Sequence, residues 1–150
     1  MAQSLARIVV HVIFSTKART RCLVPAVRGE LYAFSGTVLK SIDCPPIQIG
    51  GTDDHVHVLC ALSKNLSAAK LVEEVKKPTS RWLKTKGAAF SGFHWQNGYG
   101  VFSVSQSAVA RTAAYILGQE EHHREVTFQE EYRRFLKKYG VEYDERYVWD

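Results

Sequence analysis

The chain has 150 residues, of which 45% are hydrophobic and 23% are charged, and its formal net charge at pH 7 is +5. This composition is that of an ordinary globular domain and excludes a disordered polar chain. No apolar run approaches the roughly 18 residues that a membrane-spanning helix needs, so we expect one domain over residues 1–150.

The amino terminus and the cysteines indicate in which cellular compartment the protein is expected to reside. The first residues lack the apolar stretch and small-residue cleavage site of a secretory signal, so we expect no export. The three cysteines, Cys22, Cys44 and Cys60, are odd in number and form no CxxC pair. This usage is typical of a reducing cytoplasm and not of a disulfide-stabilised secreted domain.

The first half of the chain alternates strand and helix patterns. Residues 8–15 are rich in β-branched and aromatic side chains and are predicted to form a strand. Apolar residues at helical spacing follow Pro25 and predict an amphipathic helix over residues 25–42. Residues 47–49 and 55–62 are then predicted to be the two strands of a hairpin, joined by a glycine-rich turn.

The second half repeats the helix-then-strand order and adds two helices. A helical stripe follows the hairpin, and Pro78 within it predicts a kink or a restart, because proline lacks an amide hydrogen. Residues 93–105 are aromatic-rich, alternate weakly and are predicted to form a strand. Helices are predicted over residues 107–123 and from a Thr127 capping box to Gly140.

The resulting order is β-α-β-β-α-β followed by two helices. It is typical of the ferredoxin-like arrangement, in which helices pack on one face of an antiparallel sheet. The predicted fold class is therefore α+β, and the first of the two C-terminal helices carries Tyr115.

Basic residues are concentrated in two segments. Residues 1–40 carry six basic groups against one acidic group, and residues 64–86 carry seven against two. Such segments suit a polyanion such as nucleic acid, but solvated helix faces produce the same pattern. Charge alone leaves both interpretations open.

The sequence His55-Val56-His57 opens the second strand of the predicted hairpin. Because side chains alternate along a strand, both imidazoles project from the same face. Two neutral imidazoles side by side can begin a divalent-metal site. A pair of surface or hydrogen-bonded histidines is the alternative. Asp54, next to the pair, can orient an imidazole or simply end the turn.

The first C-terminal helix gathers polar residues on the face opposite its apolar stripe. These residues are Arg111, Tyr115, Gln119 and His122. With a metal polarising the phosphate, Tyr115 could attack a phosphodiester, and Gln119 could give that metal an amide oxygen. Two histidines and one amide suit Mg²⁺ or Mn²⁺. The alternatives are a half-buried structural tyrosine, a solvated glutamine and, for His122 and His123, surface residues at a helix end.

Several motifs in one order resemble the single-tyrosine HUH transposases of bacterial insertion sequences, the IS200-like family, where HUH means His, hydrophobic residue, His. The resemblance covers nearly the whole chain and is more specific than the histidine pair alone. Its segments are HVIFSTK from residue 11, DHVH from 54, WQNGYGVFSVS from 95, YILGQ from 115 with the pair HH from 122, and FQEEY from 128.

The resemblance implies that Tyr115 is the nucleophile and that His55, His57 and Gln119 are ligands of Mg²⁺ or Mn²⁺. The implied substrate is single-stranded DNA with hairpins, which is cut to leave a 5′-phosphotyrosine and a free 3′-hydroxyl and is then rejoined. Basic residues would hold this DNA: Lys17, Arg19, Arg21, Lys70, Lys76, Lys77, Arg81 and Arg111.

The resemblance also implies a homodimer whose sheets join edge to edge and whose active sites combine residues of both subunits. We expect a bacterial-type cytoplasmic protein that associates with the nucleoid when it acts. Trp95 and Tyr99 are expected to pack in the core or at the dimer interface more than to stack on bases. His11 and His94 are expected to make local hydrogen bonds.

Other functions stay open at this point. A domesticated relative would act on repetitive palindromic DNA of its host. A ferredoxin-like module that only binds nucleic acid would explain the basic segments, although not the alignment of Tyr115 with Gln119. In a hydrolytic nuclease Tyr115 would be structural. A replication or conjugation initiator is disfavoured, because the chain is short and no helicase domain accompanies it.

Overall fold

The computed structural model describes residues 2–150. Its four strands form one antiparallel sheet in the order β2-β3-β1-β4. The strands are β1 (Val9–Ser15), β2 (Pro46–Gly51), β3 (His55–Ala61) and β4 (Gly100–Val104). The helices are α1 (Pro25–Ser41), α2 (Ala68–Lys84), α3 (Val109–Leu117), α4 (Gln119–His122) and α5 (Phe128–Lys138). This is the predicted ferredoxin-like α+β topology, and the fold class is confirmed.

Both faces of β1 are buried, because helices cover both sides of the sheet. Val10, Val12 and Phe14 point to one side and pack with residues of α1 and α2. Ile13 points to the other side and packs against α5, and Val9 packs against α3. The two C-terminal helices therefore cover the face that a bare ferredoxin-like sheet would leave to solvent. Each fully buried aliphatic side chain contributes about 1.5–3 kcal/mol.

Helix α2 does not restart at Pro78. Val75 and Leu83, on either side of the proline, are both buried in the core between α2 and the sheet. Thr79 is also buried, and its hydroxyl donates to the carbonyl of Val75 at 2.6 Å. Burial on both sides of Pro78 holds the two halves in one helix despite the hydrogen bond that proline cannot make.

The predicted strand over residues 93–105 is shortened to β4, apart from one bridge between Thr16 and Trp95. Before β4, two backbone hydrogen bonds, from Lys17 to His94 and from Gln96 to Ser15, are supplemented by side-chain hydrogen bonds. Gln96 Oε1 accepts from the backbone of Ser15 at 2.8 Å. Lys76 Nζ donates to the carbonyl of Gly98 at 2.6 Å. The segment is therefore fixed as a loop and not as a strand.

The predicted helix over residues 107–123 is interrupted at Gly118 and becomes α3 and α4, preceded by a short 3-10 turn. The predicted start and end of α5 are confirmed: the Thr127 side chain accepts from the backbone of Glu130 at 3.2 Å, and Gly140 has a left-handed φ of 65°. Among residues 2–150, no helix is both long enough and apolar enough to cross a membrane.

Helix α3 rests on β2 at Gly50. A Cβ atom at this position would lie 2.6 Å from the carbonyl oxygen of Ile116 and 2.9 Å from its Cγ2. We expect Gly50→Ala to push α3 away from the sheet, lower the free energy of unfolding by about 1–3 kcal/mol and displace Tyr115. Urea denaturation measures the first effect.

Gly36→Ala is the matched control, since its Cβ would have Pro46 Cγ as nearest neighbour at 3.8 Å. Gly36 lies inside α1, and alanine there should raise stability by up to about 1 kcal/mol. Equal stability of Gly50→Ala and wild type would contradict the close packing of α3.

Candidate metal centre and active site

His55 and His57 lie on the sheet face that the C-terminal helices cover. Both are fully buried, and their ring centres are 5.2 Å apart. The alternation of β3 puts them on the same side as Leu59, which packs under Ile116 of α3. The predicted shared orientation of the two imidazoles is therefore present in the fold.

Both ring nitrogens of the His55 imidazole lie within hydrogen-bonding distance of other side chains. Its Nδ1 lies 2.7 Å from Asp54 Oδ1 and 3.0 Å from Thr52 Oγ1, and its Nε2 lies 2.9 Å from Gln119 Oε1. Burial alone would lower the pKa of His55, but the interactions with Asp54 and Glu131 outweigh it and raise the pKa to about 9. Asp54 therefore orients the ring as well as ending the turn.

His57 is flanked by a second histidine and a carboxylate. Its Nδ1 lies 2.7 Å from His11 Nε2, and its Nε2 lies 2.9 Å from Glu131 Oε1. Burial lowers the pKa of His57 to about 4, so the ring is neutral near pH 7. His11 makes the local hydrogen bond that was expected of it.

Glu131 is the member of the site that the sequence analysis missed. The residue is almost fully buried. Its Oε1 lies 2.9 Å from His57 Nε2 and 3.5 Å from His55 Nε2. Burial raises the pKa of a carboxyl group, but the electrostatic interaction with His57 and the hydrogen bonds of the surrounding histidines outweigh burial and hold the pKa of Glu131 far below its usual range. The group is therefore a buried carboxylate.

A signal for Glu131 was present in the sequence. The residue falls on the apolar face of α5, with Phe128 three positions before it and Phe135 four positions after it. A carboxylate among apolar residues on a buried helix face requires partners, because an unpaired buried charge costs several kcal/mol.

His123 also belongs to the cluster and is not a surface residue at a helix end. Its Nδ1 donates to the carbonyl oxygen of Val126 at 2.5 Å, which leaves the lone pair of a neutral ring on Nε2. That Nε2 is buried and makes no hydrogen bond, although Glu131 Oε1 is 3.1 Å away. A cation between this Nε2 and Glu131 Oε1 would be bound by both atoms.

Four side chains offer donor atoms that all lie within 4.8 Å of one another: His55, His57, His123 and Glu131. Gln119 adds an amide oxygen beside them, and its Nε2 donates to Glu131 Oε2 at 2.9 Å, so that its oxygen faces His55. Three imidazoles with carboxylate and amide oxygens form a donor set that fits a divalent ion. The buried, unsatisfied Nε2 of His123 fits it as well.

Tyr115 enters the same cluster from α3. Its phenol donates a hydrogen bond to Glu131 Oε2, and its ring centre is 6.0 Å from that of His57. Burial and then the negative charge of Glu131 raise the pKa of Tyr115 above its ordinary value, so the phenol keeps its proton. The predicted nucleophile and the histidine pair therefore meet within one chain.

The basic residues predicted to bind DNA differ in solvent exposure and in whether their charged groups already have partners within the protein. Lys17, Arg21 and Arg81 are exposed. Arg19 is half-buried, and its guanidinium carbon lies 5.8 Å from the centre of the Trp149 ring. The first three can meet a phosphate directly, whereas Arg19 already has an aromatic partner.

On α2 the predicted DNA-binding lysines have protein partners. Lys70 and Lys77 pair with glutamates one turn away, at 3.1 and 2.5 Å. Surface pairs of this kind contribute little, so these lysines can exchange a carboxylate for a phosphate. Lys76 instead donates to three backbone carbonyls of the loop before β4, and burial lowers its pKa to about 8. Arg111 is exposed on α3, beside Tyr115.

Comparison with known proteins identifies relatives. The sequence profile of the family described as "Transposase IS200 like" matches residues 4–119, so His123 and Glu131 lie beyond the matched segment. A solved protein of Deinococcus radiodurans R1, assigned as a transposase, aligns with a TM-score of 0.62 and 22% identity, over 79% of this chain and 98% of that one.

A second solved structure is a REP-associated tyrosine transposase bound to a REP hairpin. It aligns with a TM-score of 0.60 and 13% identity, over 84% of this chain and 76% of that one. At these identities both structures support the fold alone. No curated protein matches the sequence significantly.

The buried charges predict how stability depends on pH in the metal-free protein. The pKa of His55 is about 9 in the folded chain and about 6.5 when unfolded, so its stabilising effect is complete below pH 6.5 and is lost as the pH rises toward 9. The contribution of His55 to the free energy of unfolding in EDTA therefore falls by up to about 2 kcal/mol between pH 6.5 and 8. His57 and His11, whose pKa values are lowered, contribute with the opposite sign as their unfolded rings lose protons near pH 6.5, so the His55 part is isolated by comparison with a variant. The pKa of Lys76 is lowered to about 8 in the folded chain, so its contribution to the free energy of unfolding rises with pH above 8, and the measurement therefore ends at pH 8.

Asp54→Asn should make this fall shallower, because it removes the strongest interaction that raises the pKa of His55. Asp53→Asn is the control, since Asp53 is a neighbour without a hydrogen bond to the imidazole. Urea titrations at several pH values measure the slope. Identical slopes for Asp54→Asn and wild type would contradict a charged, Asp54-bound His55.

Proposed function

Because the chain belongs to the IS200-like transposase family, we propose that it cuts and rejoins single-stranded DNA that carries hairpins. Residues 1–150 act as a single transposase domain, and Tyr115 is the nucleophile. The observation that carries this proposal is the contact of the Tyr115 phenol with the carboxylate that also binds the buried histidine pair of the same chain.

We propose that His55, His57 and Gln119 hold a divalent ion, as the resemblance implies, and that Glu131 and His123 complete its donor set. When bound, the ion would polarise the scissile phosphate and offset the charge of Glu131. Mg²⁺ and Mn²⁺ are both candidates. Three imidazole donors favour Mn²⁺ over Mg²⁺, which prefers oxygen ligands.

The chain's own residues keep the nucleophile in place and inactive until it is needed. Glu131 Oε2 accepts the phenolic hydrogen bond of Tyr115 and so fixes the direction of its oxygen. Without a compensating cation, the same carboxylate and the surrounding burial keep that oxygen protonated. Activation of Tyr115 is therefore tied to charge compensation at Glu131.

In the cleavage step, the Tyr115 oxygen forms a bond to phosphorus and the bond from phosphorus to the 3′ oxygen breaks. The phenol gives up its proton to water, and the departing 3′ oxygen takes a proton from water. The products are a 5′-phosphotyrosine and a free 3′-hydroxyl. Because the covalent link retains the phosphodiester, the reverse reaction rejoins a strand without a nucleotide cofactor.

We propose that exposed basic residues hold the DNA, chiefly Lys17, Arg21, Arg81 and Arg111, with Lys70 and Lys77 after exchange of their glutamate partners. A hairpin is the proposed ligand by analogy with the REP-associated transposase, which is bound to one. The resemblance implies a homodimer with composite active sites. We propose instead that each protomer uses its own tyrosine and histidines, because Tyr115 and His57 contact the same Glu131 within one chain. The proposed place of action is the cytoplasm, on nucleoid DNA.

Tyr115→Phe tests the proposed chemistry. Phenylalanine fills the same space but offers no oxygen, so the variant should form no covalent protein–DNA adduct with a hairpin oligonucleotide and Mn²⁺. DNA affinity should stay within about twofold of wild type, since one hydroxyl contributes little to phosphate binding. Adducts are read on a denaturing gel and affinity by fluorescence anisotropy.

The same gel separates the alternatives. A hydrolytic nuclease would release free ends from wild type and Tyr115→Phe alike. A module that only binds nucleic acid would leave all substrates intact and yield no adduct from wild type. Either result would overturn the proposal.

Glu131→Gln tests the metal site without reference to activity. Loss of one carboxylate charge should weaken Mn²⁺ binding, measured by calorimetry, by about 10–100-fold. Glu130→Gln is the control, because Glu130 is an exposed neighbour on the same helix. His57→Ala should abolish binding. If Glu131→Gln bound Mn²⁺ as tightly as Glu130→Gln, Glu131 would not belong to the donor set.

A further inference from the structure

A cavity of about 330 Å³ opens beside Tyr115. Helices α3 and α5 form its sides, and Tyr115, Glu131 and His11 lie along its inner end. Its volume is at the lower end of the range for small-molecule sites, and a single nucleotide is of this size. Tyr115, Glu131 and Arg111 already have proposed roles, whereas Arg134, Lys138, Phe135 and Tyr139 have none.

Three cations line the cavity: Arg111 from α3, and Arg134 and Lys138 from α5. All three are exposed, and within residues 2–150 none of them forms a salt bridge. Arg133, next along α5, instead pairs with Glu145 at 2.6 Å. Positive charge without a carboxylate partner is therefore concentrated on the side of α5 that faces Tyr115, and Lys138 Nζ lies 5.7 Å from the centre of the Tyr139 ring.

The wall between these cations is aromatic. Phe135 and Tyr139 line the cavity, and Phe135 has its ring centre 5.9 Å from that of Tyr115 and 5.1 Å from that of His11. Aromatic faces stack on bases of any sequence, whereas arginine and lysine bind phosphates. Cations at the rim of the cavity suit the phosphates of a nucleotide, and the aromatic side chains suit its base.

We propose that this cavity, formed by Arg111, Arg134, Lys138, Phe135 and Tyr139, binds the nucleotide next to the phosphate that Tyr115 attacks. The inference rests on the proposed function and adds to it a substrate subsite carried by α5. Arg134 and Lys138 contact the phosphates of that nucleotide, and the aromatic wall contacts its base. The positive charge of Arg134 also reaches Tyr115, where it partly offsets the burial and the Glu131 charge that raise the pKa of the phenol.

The test measures binding in a Tyr115→Phe background, in which no chemistry occurs. The probe is a fluorescein-labelled thymidine hexanucleotide, which has no hairpin and so reports only single-strand contacts. Arg134→Ala with Lys138→Ala should weaken its binding about tenfold and lower the slope of log K against log salt by roughly 1.4, for two lost phosphate contacts.

Lys40→Ala with Lys137→Ala removes the same charge from exposed positions outside the cavity and serves as the control. Equal binding by the two double variants would overturn the subsite. Because all four side chains are exposed, the variants should keep the circular dichroism spectrum of the parent.

The adduct assay on the wild-type chain separates this inference from the proposed function. Weakened hexanucleotide binding with no wild-type adduct would support the subsite and refute the chemistry. An adduct together with equal binding of the cavity and control variants would support the chemistry and refute the subsite.

Discussion

The buried carboxylate of Glu131 is the interaction on which the site depends. A carboxylate without partners in the interior costs several kcal/mol. Here one oxygen faces the imidazoles of His57 and His123, and the other accepts from Tyr115 and Gln119. Three separate parts of the chain therefore come together around one charge.

The two faces of the sheet differ in the side chains that they bury. On one face, α1 and α2 bury an entirely apolar set of strand residues. On the other, the same strands present His11, His55 and His57 to α3 and α5. Successive side chains of a strand point to opposite faces of the sheet. The close packing of the apolar residues on one face therefore fixes the strand backbone that carries the histidines on the other.

Much of the fold could be predicted from sequence because the spacing of apolar residues, which distinguishes strands from helices, is visible within a few neighbouring residues. The strand pairing, the shared orientation of the HxH pair and the alignment of Tyr115 with Gln119 all follow from spacings of two or of three to four residues. The positions of His123 and Glu131 depend on the interruption at Gly118 and on how α5 docks, which are long-range effects. The loop before β4 likewise depends on the distant side chain of Lys76.

We propose that one chain contains a complete site, because Tyr115 and His57 both contact Glu131 of the same protomer. Mixing two inactive variants, Tyr115→Phe and His57→Ala, tests it most directly. If the tyrosine and histidines of one chain act together, an equimolar mixture, unfolded and refolded together, forms no covalent adduct with a hairpin oligonucleotide. If adduct formation returned in the mixture, the tyrosine of one subunit would be serving the histidines of another, and the account would be wrong.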